Sequence, residues 1–355
     1  FWMFGLAMCA ICNFVFGMSS VVWLFGLMWI LNGWFQGTGY PPCARLLSHW
    51  VHPKQLATKM SIWNTSHSIG AFVAIVICGY VVSLGWRWCF YVPAIITIIG
   101  VLFIWVMLRD TPTSVGLPEI AVGKQNETVE HKKTNKEFNA ILRKRVFCNP
   151  YIWILSIANF FVYTVRFAFL DWGPSMLQQW LGVTPAESGW MVGGFEIFGL
   201  AGMLLSGWMT DRYFKGRGAR VCLICMLLTM IFVGLFWVWH TNGLPLIGSV
   251  VLLFAVGFFI YGPQALIGIV ATNLATKEAA ATAVGLTGIF AYASTVLSGW
   301  GIGALVDHFS TKTASGAVDF SAGWSYAFGV LIVAALIGSL ILALVWKAKA
   351  DGYDD

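Results

Sequence analysis

The chain of 355 residues is 59% hydrophobic and only 10% charged, with a mean hydropathy of +0.78 and a formal net charge of +6. Soluble domains carry about 25% charged residues, so the composition excludes an ordinary water-soluble fold and points to an all-α integral membrane protein. The chain opens inside an apolar run, FWMFGLAMCAICNFVF, with no initiator Met and no signal-peptide pattern, and is expected to be part of a longer sequence.

Ten apolar stretches are predicted as membrane helices, roughly 1–17, 20–46, 57–82 and 86–108, then 149–180, 186–211, 218–239, 246–273, 278–306 and 322–347. Most reach the about 20 residues that a helix needs to cross hydrocarbon. No dyad alternation of the barrel kind appears. The expected organisation is a four-span part at 1–108, a polar loop at 109–148, a six-span part at 149–348 and a tail at 349–355. The loop contains GKQNETVEHKKTNKEFNAILRKR and reads as a linker with a short amphipathic helix near 136–145.

Eighteen of the 21 basic residues fall on one side of this arrangement. Arg87 and Lys312 fall on the other, and Arg166 lies inside a span. The positive-inside rule then places the central loop and the C-terminus in the cytoplasm of a multi-pass plasma (inner) membrane protein. The excess of positive charge is topology, and no nucleic-acid patch is seen in it. The pairs Cys9/Cys12 and Cys222/Cys225 have CxxC spacing. They sit in apolar spans without flanking Gly, His or basic residues, so packing is favoured over zinc. The sequons at Asn64 and Asn126 fall in a span and a cytoplasmic loop and read as chance matches.

The stretch NFFVYTVRFAFLDWGPSM, residues 159–176, holds the informative anomaly. A charge at the bilayer centre costs about 2.5–3.5 kcal/mol on insertion scales, so Arg166 must face a bundle interior or a water-filled cavity. One reading is a structural ion pair with Asp171 or Glu196. The other is a ligand site, because a guanidinium keeps its charge and grips phosphate or carboxylate oxygens bidentately. His67, with Trp63 and Asn64 one turn earlier, and Tyr163, one turn before Arg166, are further polar groups at mid-depth. A histidine there donates hydrogen bonds and titrates near neutral pH. No metal-ligand cluster and no nucleophile–base pair is apparent at membrane depth, so an enzyme is not expected and no cofactor is implied.

GWMTDR at 207–212 begins a short basic connection between the second and third spans of the six-span part, where Asp211 is placed to pair with an Arg. Membrane proteins built from two pseudo-symmetric six-helix halves repeat such a loop. On that plan the chain holds helices 3–12 of twelve; a true ten-helix fold is the alternative. Together with NGWFQGTGYPPCARLLSHW, SIWNTSHSIG, RDTPTSVGLP, FVYTVRFAFLDWGPSML and FFIYGPQALIG, it resembles the organophosphate:phosphate antiporter family of the major facilitator superfamily, the glycerol-3-phosphate and hexose-6-phosphate transporter type.

The resemblance implies exchange of an external phosphate ester for internal inorganic phosphate, by rocking of two halves about a central site. It matches Arg166 to one of two phosphate-holding arginines; the other belongs to a first helix that this chain lacks. It matches His67, Trp63, Asn64, Gln36, Tyr163, Tyr261, Tyr292 and Glu196 to cavity positions. Plainer roles stand beside these. Tyr261 precedes Gly262-Pro263 and marks a kink, Tyr292 packs on lipid or a neighbour, and Gln36 bridges helices. A hexose-phosphate sensor that signals to a membrane kinase is the alternative function. The implied partners are the ester, inorganic phosphate and the bilayer.

Overall fold

The computed structural model describes residues 2–37, 39, 42–43, 46, 50, 53–109, 111–118, 135–243, 245–275, 279–312 and 318–347, with backbone alone for 53–62, 64, 135–138, 211, 273 and 280–281. The described chain is helical apart from a two-stranded hairpin, and it divides into two units, Phe1–Glu130 and His131–Asp355.

The first unit contains α1 (Trp2–Met18), α2 (Val22–Gln36), α3 (Pro53–Val81) and α4 (Trp88–Met107). An aromatic stack ties its outer ends: the Phe16 ring lies 4.4 Å from Phe25 and 4.2 Å from Phe90. Gly17 leaves room for the Tyr91 ring, which a Cβ would meet at 2.5 Å. Arg87 donates from Nη2 to Ser20 Oγ at 2.8 Å and covers the Trp86 ring, which holds that cation at the α1–α2 turn. Cys9 and Cys12 are buried, and the Cys9 thiol donates to the Asn32 carbonyl, a packing role.

The second unit begins with α5 (Asn135–Leu142), close to the expected amphipathic helix, and a π turn at Arg143–Phe147. The helices α6 (Pro150–Asp171), α7 (Gly173–Leu181), α8 (Pro185–Arg212), α9 (Gly218–Thr241), α10 (Leu246–Leu274), α11 (Ala280–Ala293), α12 (Ile302–Phe309) and α13 (Ser321–Leu344) follow. The strands Thr311–Lys312 and Val318–Asp319 pair antiparallel between α12 and α13.

The local sequence explains the helix ends. Asn149 caps α6 by accepting from the Tyr151 N–H, with Pro150 in the first turn, where its missing donor costs nothing. Thr184 and Glu187 form a reciprocal capping box at the start of α8. Within the helices, Ser156, Thr164, Thr229 and Ser339 donate to carbonyls four residues earlier, so hydroxyls among apolar residues stay satisfied.

Two expectations are corrected. The stretch 149–180 is two helices, because Pro174 has no N–H to continue the α6 ladder and the chain breaks at Trp172. The stretch 278–306 is interrupted by a π turn at Val296–Gly301, whose Ser298 and Gly299 carbonyls accept from the Trp172 indole at 3.0 and 3.1 Å. Of the ten expected spans, eight have a described helical stretch long and apolar enough to cross a membrane. The 17 residues of α1 and 15 of α2 are short of about 20; α2 ends at Gln36, within the expected span 20–46.

α8 and α10 form the tightest pair, α9 and α13 pack beside them, and α6 contacts α10, α11 and α13. Glycines set the α8–α10 approach. A Cβ at Gly257 would lie 2.5 Å from the Phe195 carbonyl oxygen, and one at Gly202 would run into the Phe258 carbonyl. Large apolar side chains such as Leu204, Ile289 and Trp300 remain exposed on the outside, as lipid-facing surfaces require.

Candidate functional site

Arg166 lies in the fifth turn of α6 and is 5% exposed. It points into the interior of the second unit, where α8 and α10 present partners. Its Nη2 donates to the Tyr261 hydroxyl at 3.0 Å and lies 3.6 Å from Glu196 Oε1. The Tyr261 O–H donates in turn to Glu196 Oε1. Glu196 is fully buried and Tyr261 is 2% exposed. One oxygen therefore receives both the cation and the phenol, and three helices are joined through one charge pair. Taking two ions out of water costs several kcal/mol each, and removal of either partner strands the other.

The site is built on glycine and aromatic packing. Gly199 of α8 faces the Tyr261 ring, which a Cβ would meet at 2.5 Å, so the phenol reaches Glu196 only because no side chain intervenes. The Arg166 guanidinium carbon lies 4.8 Å from the Tyr261 ring centre, 5.4 Å from Phe167 and 5.9 Å from Tyr163. These cation–π contacts surround the guanidinium with polarizable faces. Tyr292 of α11 extends the wall: its ring is 6.4 Å from both Tyr163 and Phe167, and it is 69% exposed.

Arg166 Nε and Glu196 Oε2 are buried and find no hydrogen-bond partner among the described residues. The pair thus keeps one donor and one acceptor in reserve. Chemically, the arrangement is a buried guanidinium in an aromatic frame, paired with one carboxylate and one phenol.

Five of the nine expected residues, Arg166, Glu196, Tyr163, Tyr261 and Tyr292, come together here. Glu196, not Asp171, is the ion-pair partner; Asp171 is exposed at the end of α6. Tyr261 does more than precede a kink, since it bonds both charges. The other four belong to the first unit. Gln36 is exposed as the last residue of α2, and His67 is exposed and Trp63 half-buried on α3. The side chains of Asn64 and Asp211 lie outside the described residues. Asn126 also lies outside them. Cys222 and Cys225 are buried, and Cys225 Sγ is 3.6 Å from Ser206 Oγ, a helix-packing contact between α9 and α8.

Sequence reasoning passed over Asn159, Phe167 and Gln264. Asn159 is 5% exposed and donates from Nδ2 to the Thr287 carbonyl of α11 at 3.0 Å. Its signal was an Asn two turns before Arg166 on the same helix face. Gln264 follows Pro263 in α10 and interacts with the Tyr163 phenol. Neutral amides carry no charge to draw attention.

The sequence matches the Major Facilitator Superfamily over residues 1–299 and again over 155–353. The chain belongs to the Major Facilitator Superfamily. This is a family of membrane transporters, not of enzymes. A Bacillus subtilis protein named "Glycerol-3-phosphate transporter" is 38% identical over 355 residues, covering 97% of this chain and 76% of its own length. A hexose phosphate transport protein of Chlamydia pneumoniae, named as probable, is 37% identical, covering 98% and 76%. The "Membrane sensor protein UhpC" of Escherichia coli is 35% identical, covering 95% and 74%. Within the superfamily the chain therefore sits among the organophosphate transporters. The fold is similar to that of a bacterial homologue of the human lysosomal transporter Spinster, solved in an inward-facing and unoccupied conformation. That structure superposes with a TM-score of 0.73 at 14% identity, covering 98% of this chain and 83% of its own.

Proposed function

We propose that this protein exchanges an organic phosphate ester, hexose 6-phosphate or glycerol 3-phosphate, for inorganic phosphate by alternating access. The observation that supports it most is Arg166, a permanent cation buried in an apolar bundle and bonded to one carboxylate and one phenol. A purely structural pair would leave fewer groups unspent. Arg166 Nε is free among the described residues to complete a bidentate grip on phosphoryl oxygens. The relatives' names bring the substrate class.

On this reading the phosphoryl group takes the place of Glu196 on Arg166, and Glu196 keeps the Tyr261 O–H. The anion must bind the reorienting state better than the resting one, otherwise it shifts nothing. Replacing one buried anion by another keeps the Arg166 cation neutralised both before and after loading. Tyr163, Tyr261 and Tyr292 form the aromatic wall. For Gln36, Trp63, Asn64 and His67 the proposal rests on the resemblance alone, His67 as a hydrogen-bond donor. The central loop and C-terminus lie in the cytoplasm, by positive charge, and the membrane is the plasma (inner) membrane.

The test uses the full-length gene product in vesicles loaded with labelled phosphate, against external glucose 6-phosphate, glycerol 3-phosphate and phosphate. Exchange with at least one ester, cut by about 100-fold or more in Arg166→Lys, is expected, because Lys offers no planar fork. Wild-type rates in that variant overturn the assignment. The sensor-like relative supports a second reading, in which ester binds without exchange and the signal passes to a membrane kinase. Saturable ester binding with no phosphate release would move the assignment there.

A further inference from the structure

The ionised oxygens of the phosphoryl end of an ester are served by donors and a cation, but the same bundle also carries acceptors that an ionised oxygen cannot use. Asn159 Oδ1 and Gln264 Oε1 are buried, and neither finds a hydrogen-bond partner among the described residues. The assignment of the Asn159 oxygen is set by its surroundings: the nitrogen donates to the Thr287 carbonyl, which leaves the oxygen on the other side. A buried amide oxygen without a donor costs about 1–3 kcal/mol, so two near one site call for an explanation.

Their positions agree. Asn159 lies seven residues before Arg166 on α6, two turns and about 10 Å along the same face. Gln264 lies three residues after Tyr261 on α10. Among the spans 150–171, 185–210, 218–241 and 246–272, crossing direction alternates, so α6 and α10 run in opposite senses. One step back on α6 and one step forward on α10 therefore move to the same side of the Arg166–Tyr261 contact. Tyr163 lies between them, four residues after Asn159 and interacting with Gln264. The stretch 279–306, which includes Tyr292, carries no charged residue.

An amide oxygen only accepts. It repels an ionised phosphoryl oxygen and receives an O–H, of which a hexose or glycerol ester carries several. We infer that Asn159 and Gln264 form a hydroxyl-recognising subsite beside Arg166, which reads the polyol skeleton of the ester and not its phosphate. This rests on the exchanger reading and deepens it. Discrimination between esters and inorganic phosphate is then made by neutral amides, and a hexose, with more hydroxyls than glycerol, gains more from them.

The test compares wild type, Gln264→Met and Asn159→Leu, which keep side-chain length and remove the acceptor. Phosphate-loaded vesicles are given external glucose 6-phosphate, glycerol 3-phosphate or phosphate, and the KM of each is measured. The ratio of ester KM to phosphate KM should rise about five- to tenfold, the worth of one neutral hydrogen bond, and more for the hexose ester. An unchanged ratio overturns the inference, and so does a parallel loss of ester and phosphate exchange, which marks a structural role or a site filled by water alone. If the wild type binds without exchanging, the exchanger reading fails and the same ratio is read from equilibrium Kd values. If the wild type binds neither ligand, both readings fall.

Discussion

Arg166 keeps its charge in an apolar helix because Glu196 and Tyr261 meet it from two other helices. Its presence was legible in the sequence, since a cation in a Phe-rich stretch has few tolerable fates. Its partner was not: Asp171 is nearer in sequence, yet it sits five residues on and exposed, while Glu196 comes through the packing of α8. Glu196→Gln strands the guanidinium and should cost about 3–5 kcal/mol, whereas Tyr261→Phe removes two hydrogen bonds, one to Arg166 and one to Glu196, but leaves the charges paired and should cost about 2 kcal/mol. Melting temperatures in detergent should fall in that order. A Tyr261→Phe that melts as early as Glu196→Gln would mean that the phenol, not the charge, holds the three helices.

The elements follow local rules, with two exceptions that the tertiary structure creates. Asn149 caps α6 and Thr184 with Glu187 caps α8, and Thr184→Ala should lower stability by about 1 kcal/mol, visible as a small shift in melting temperature. The break at Trp172 and the π turn at Val296–Gly301 were missed, because hydropathy runs through both. They are joined, since the Trp172 indole satisfies the carbonyls of the π turn. The α8–α10 contact is a second element-scale device. Gly202→Ala places a methyl on the Phe258 carbonyl and must part the helices, so folding yield and exchange should both drop. Gly207→Ala on the same helix meets nothing within 4 Å and should behave as wild type; equal loss in both would remove close packing as the cause.

For the whole molecule, positive charge predicts the sidedness that hydropathy cannot. Cys148 is exposed at the end of the central loop, just before α6. A variant with Cys148 as its single cysteine should react with an impermeant thiol reagent in inside-out vesicles and stay unlabelled in intact cells. Labelling from outside would invert the assigned topology. Length was the weaker guide: ten apolar stretches were legible, but eight described helices meet the spanning length, because α1 and α2 are 17 and 15 residues long.

By itself the sequence determined the solvent. A chain with 59% hydrophobic residues and so few charges leaves helices in lipid as the workable fold, and six motifs in order named the family. It also determined that Arg166 matters, because the cost of burying a charge is local and readable from its neighbours. What only the tertiary structure decided is who answers that charge. Glu196 and Tyr261 are 30 and 95 positions away in the chain, and they meet beside Arg166 because glycines let α8 and α10 close on each other. The unpartnered amides of Asn159 and Gln264 belong to the same class: a neutral side chain shows its purpose only by what stands, or fails to stand, opposite it.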